Sequence, residues 1–86
     1  MNRKKRIELI LKENLSEYNF NIVDISKDHK GHNNFDGTGE THFRIILKTL
    51  NKKTETRLTI HRKINNLLEK EFKFGLHALE IKILDL

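Results

Sequence analysis

The sequence predicts an α+β fold, a two-layer α-β-β-α(α)-β sandwich in which helices cover one face of a mixed three-stranded sheet. Three observations predict it. Apolar residues recur at helical spacing near the start of the chain and again beyond residue 54, strand-forming stretches follow each helical region, and a helical crossover separates the second stretch from the third. The first two strands should therefore pair antiparallel, and the crossover should leave the second and third parallel. At 86 residues the chain is read as one domain, 1–86, with a core drawn from few elements.

Residues 3–17 form the first element. Ile7, Ile10, Leu11, Leu15 and Tyr18 share one helical face, Glu8, Glu13 and Glu17 lie opposite, and Asn2 supplies an N-terminal cap. Arg3, Lys4, Lys5 and Arg6 crowd the end where the helix dipole disfavours positive charge, which leaves a frayed first turn or an anion-facing end, fraying being the more economical. The stretch 20–26 is rich in β-formers but changes phase at Ile22-Val23, predicting a strand with a bulge. From 41 to 49 the alternation is cleaner: Phe43, Ile45 and Leu47 face one way, His42, Arg44 and Lys48 the other. The segment 27–40 between these strands is far longer than a tight hairpin needs, as functional loops often are.

Thr54 is placed to cap the second helical region, where Ile60, Ile64, Leu67, Leu68 and Phe72 fall on one buried face. Leu58 is assigned to a short preceding helix, which would make a helix-turn-helix pair over 54–72. Gly75 supplies the stop. Leu79, Ile81 and Ile83 then alternate with Glu80 and Lys82 in a third strand.

The absence of cysteine excludes a disulfide framework, a thiolate zinc site, a cysteine nucleophile and a cluster held by the chain's own sulfur. No apolar run reaches the roughly 20 residues that span a bilayer, and the basic start leads into an amphipathic stretch, so a soluble cytoplasmic protein without signal peptide or membrane association is expected. Seventeen Lys and Arg against twelve Asp and Glu give a net charge of +5, which suits nucleic acid, an anionic surface or an acidic protein. The same excess follows from a composition rich in Lys, Asn and Ile, and Glu is interleaved with the cations.

Five histidines, His29, His32, His42, His61 and His77, are the main chemical resource. His29-Lys30-Gly31-His32 offers two imidazoles to a divalent metal, and two ligands rarely make a site. Ser16 and Ser26 lack a nucleophile-elbow context, no paired carboxylates stand out, and Gly37-Thr38-Gly39 opens a strand rather than a phosphate-binding helix. A binding module is expected, not an enzyme.

Gly39-Glu40-Thr41-His42-Phe43-Arg44, His61-Arg62 with Leu67-Leu68 and Glu71-Phe72, and Gly75-Leu76-His77-Ala78-Leu79 together resemble the BolA family, in order from about Asp24 to Ile83. The family's fold is similar to a class II KH domain. The resemblance implies a heterodimer with a monothiol glutaredoxin, with or without a bridging 2Fe-2S cluster, serving iron-sulfur trafficking or iron and redox regulation; alone, the chain would be a monomer without cofactor. By the same resemblance His77 is a cluster ligand together with a loop histidine, His32 by position and His29 as the alternative, while the partner's cysteine and a glutathione thiol complete the shell. Gly39 and the lack of cysteine set the chain apart from the family's Cys-loop branch. Ile60-His61-Arg62 departs from the family's usual Arg-His-Arg, and Asn51-Lys52-Lys53 lacks a frequent glycine.

Some members of that family are described as transcriptional regulators. The competing expectation is therefore DNA binding through 54–72, with Lys52, Lys53, Arg57, Arg62 and Lys63, and beyond them Lys70 and Lys73, on phosphates. No set of base-reading side chains accompanies them, and the inter-helix segment lacks the GXXG loop of RNA-clamping KH domains.

Overall fold

The computed structural model describes residues 1–29, 39–50 and 55–84. Helix α1 spans Arg3–Asn14, and Asn2 caps it as expected, its side-chain oxygen accepting the Lys5 N–H at 2.9 Å. The helix ends before residue 17 because Leu15 takes φ −130°, turning the chain so that Tyr18 can open the first strand. Ile7 and Leu11 are buried on its inner face.

Strand β1 covers Tyr18–Asp24 and β2 covers His42–Thr49, antiparallel in unbroken register from Tyr18 opposite Thr49 to Asp24 opposite Phe43. The expected bulge is absent. Ile22 faces the core while Val23 sits half-buried on the other face, so the phase change at Ile22-Val23 needs no extra residue, and Ile25 lies beyond the strand, its N–H held by the His42 carbonyl at 2.9 Å. A 3-10 turn over Ser26–His29 follows.

Helix α2, Arg57–Leu67, is capped by Thr56, whose hydroxyl accepts the Thr59 N–H at 3.1 Å; Thr54 lies outside the described residues. Leu58 belongs to the first turn of α2 and is 58% exposed, so it forms no helix of its own. Only Leu68 separates α2 from α3, Glu69–Lys73. A helix-turn-helix needs a turn of several residues between helices that cross steeply; the near-continuous α2 and α3 do not make one.

Gly75 breaks the helical path with φ +124°, and β3, Ala78–Leu84, pairs parallel with β2 in the sheet order β1-β2-β3. Buried Ile7, Leu11, Ile60, Ile64 and Leu68 from the helices and Phe43, Ile45 and Leu47 from β2 form one cluster, so the helices cover one face of the sheet. Each such side chain removed from water contributes on the order of 1.5–3 kcal/mol. No helix among the described residues is long and apolar enough to cross a membrane.

Candidate functional site

Parallel pairing of β2 and β3 brings the two strand starts to the same end of the sheet, with His42 opposite Ala78. The His77 N–H donates to the Thr41 carbonyl at 2.7 Å, and the Ala78 N–H to the same oxygen at 3.1 Å. The His42 and His77 rings consequently meet, with centroids 5.1 Å apart and planes tilted by 48°. His77 is exposed, whereas His42 retains only 3% of its surface.

The surroundings of His42 form a polar brace. Its Nδ1 lies 2.9 Å from the Thr41 hydroxyl, and its backbone N–H donates to the Ser26 Oγ at 3.1 Å. That hydroxyl also accepts the Thr41 N–H at 3.1 Å and donates to the Asp24 Oδ1 at 2.6 Å. Asp24 Oδ2 accepts the N–H of Glu40 at 2.9 Å. Thus Asp24 and Ser26 tie together both ends of the connection between β1 and β2. Burial pushes the Asp24 carboxyl up, but the hydrogen bonds from Ser26 and Glu40 and the neighbouring His42 overcome it and leave the group below its ordinary value.

A second brace meets the first at Glu40. Arg3 is buried; its Nε donates to Glu71 Oε1 at 3.0 Å, its Nη2 to the Phe74 carbonyl at 2.7 Å, and its Nη1 to the Glu40 carbonyl, while the Arg3 N–H reaches Glu40 Oε1 at 2.9 Å. Arg6 adds Nε to Glu71 Oε2 at 2.8 Å. Here the first turn of α1 is anion-facing, not frayed, with Glu71 and Glu40 answering the basic residues.

The residues singled out from the sequence fall in different places. His77 stands at the end of the sheet, and the backbone of His29 ends the turn that leads into the long connection. His32, Lys52 and Lys53 lie outside the described residues. Arg57, Arg62 and Lys63 are exposed along α2, and Lys63 is paired with Glu55; Lys73 is likewise bridged to Glu69 at 3.4 Å. These cations are partly neutralised, and the helix-turn-helix meant to present them is not formed. Sequence reasoning left His42, Asp24 and Thr41 out of the site. The signal was available: two histidines at the starts of two strands expected to be parallel must share an end of the sheet. Among the described residues no three His, Asp, Glu or Cys side chains gather as a complete metal site.

A family model described as "BolA-like protein" matches residues 11–85. The chain belongs to the BolA-like family. This BolA-like chain is 39% identical over 80 residues to the Sinorhizobium "Uncharacterized protein in cobS 5'region", covering 92% of the chain and 81% of that relative. Among solved structures it is similar to the BolA domain of SufE1 from Arabidopsis thaliana, with TM-score 0.78 and 31% identity over 99% of this chain and 94% of that one. BolA1 from Arabidopsis thaliana matches with TM-score 0.79 and 30% identity over 99% and 93%.

Proposed function

We propose that this BolA-like chain is a cytoplasmic adaptor that pairs with a monothiol glutaredoxin and contributes His77 and one loop histidine, His32 or alternatively His29, to a shared 2Fe-2S cluster. The observation that supports it most is an exposed imidazole, His77, at the sheet end where both ends of the histidine-bearing connection are tied down, in a chain without cysteine. The donor set suits the group: imidazole is the cluster ligand this sequence can offer, and sulfur has to come from the partner's cysteine and glutathione. Replacing thiolate by neutral imidazole on one iron removes negative charge, so the bound cluster would supply a raised reduction potential suited to sensing or transfer. The chain's own part is to hold His77 by its N–H on the Thr41 carbonyl and to anchor the loop through Asp24 and Ser26.

The test mixes the purified chain, expected to be monomeric and colourless alone, with a glutaredoxin carrying a 2Fe-2S cluster and glutathione. A heterodimer should form, and His77→Ala should alter its visible circular dichroism strongly. An unaltered spectrum overturns the assignment. Comparison of His32→Ala with His29→Ala then identifies the loop ligand.

A further inference from the structure

We infer that His42 is a positioning residue, a buried imidazole that fixes the ring of His77 in the orientation from which it ligates; this rests on the ligand role proposed for His77. An exposed histidine is ordinarily free at χ1 and broad at χ2, so its ring samples several directions. His77 is exposed, yet it is not left to do so. Its backbone is fixed by the N–H to the Thr41 carbonyl at 2.7 Å, and its ring rests on that of His42 at a centroid distance of 5.1 Å. Separations of about 4.5–7 Å are those at which tilted rings attract.

His42 itself has little freedom. It is 3% exposed, its ring is tied at Nδ1 to Thr41, and its backbone to Ser26. Alternation along β2 places it on the face opposite Phe43, Ile45 and Leu47, away from the helices, so it does not fill the core between helices and sheet. A clamped ring outside that core, in contact with one exposed ring, acts as a wall that orients it. Metal-ligating imidazoles need such orientation from their neighbours. Orienting the ring before the partner arrives spares the side-chain ordering that binding would otherwise cost, an effect of about three- to tenfold in affinity.

The test uses the full chain, first alone and then with the cluster-loaded glutaredoxin. In the apo protein, proton NMR should show nuclear Overhauser effects between the two rings and ring-current-shifted His77 signals. His42→Leu keeps an apolar volume at the buried position but removes the planar ring; it should abolish those shifts and weaken the cluster-bridged heterodimer about three- to tenfold. His42→Phe, which restores a ring but not the bond from Nδ1 to Thr41, should recover the ring-current shifts and part of the lost affinity. The inference is overturned if the folded wild-type protein lacks the inter-ring effects, or if His42→Leu binds like wild type while His77→Ala alters the cluster spectrum. If His77→Ala leaves that spectrum unaltered, the ligand reading fails and takes the functional part of this inference with it; intact inter-ring effects would then locate the failure in the ligand reading and not in the ring contact.

Discussion

Arg3 shows how far a single residue can depart from what its local sequence suggests. Positive charge in the first turn of a helix is unfavourable by itself, yet Arg3 and Glu71 are each buried and bonded, with 8% and 7% of their surfaces left. A buried pair is weak evidence of net stabilisation, and losing Arg3 does not strand Glu71, which keeps its hydrogen bonds from Arg6; what it removes are the Arg3 bonds to Glu71 and to the Phe74 and Glu40 carbonyls. With three side-chain hydrogen bonds lost at a buried position, Arg3→Ala should lower stability by about 3 kcal/mol in urea titrations at neutral pH. Arg6 makes two hydrogen bonds to the same carboxylate, but its side chain is 40% exposed and water can take its place, so Arg6→Ala should cost about 1 kcal/mol or less. Equal losses for the two variants would contradict this division. The sequence revealed the charge conflict at residues 3–6 but not its resolution, because the answering carboxylate is 68 positions away and belongs to a helix whose docking no local rule specifies.

At the scale of elements, the first cap and the glycine stop were legible, while the second cap, at Thr56 and not Thr54, and the break within the helical region were not. Asn2 and Gly75 do what their residue types dictate: one accepts a helix N–H, the other takes a φ of +124° that side chains with a Cβ rarely adopt. Gly75→Ala meets two penalties, since its Cβ would also stand 3.1 Å from the Arg3 Nη2. It should lose about 1–3 kcal/mol in thermal or urea unfolding, and a loss under about 0.5 kcal/mol would show that the turn relaxes freely. Asn2→Ala provides the comparison, an expected loss of about 1 kcal/mol from one missing cap bond. The interruption at Leu68 carries no such residue signal. Leu68 is apolar and fully buried, and tertiary packing, not propensity, places the break there and not near Leu58. The helix-turn-helix expectation failed for that reason.

For the molecule as a whole, strand order and pairing were readable because periodicity names the elements and chain connectivity leaves few ways to join them. The candidate site was half readable. His77 stood out by family likeness, whereas His42, Asp24 and Ser26 became part of it only when the parallel register brought separate strand starts together. The braces built on Glu71 and Asp24 connect α1, α3, β1 and the approach to β2, so their protonation should act on global unfolding. Hydrogen bonds from Arg6, opposed by burial and reinforced by Arg3, hold the Glu71 carboxyl below its ordinary value of 4.5. A carboxyl depressed by folding adds stability that is fully present above its unfolded value and disappears as pH falls through its folded one. Wild-type urea midpoints should thus fall below about pH 4.5, with Asp24, also held below its ordinary value, adding its own share. Glu71→Gln isolates the one carboxylate, because every other titration is common to both proteins. It should be less stable than wild type at pH 7, and the gap should narrow steadily towards pH 3 as the wild-type carboxylate is neutralised. A gap that stays constant over that range would mean that Glu71 holds the helices together by shape alone, with its charge contributing nothing.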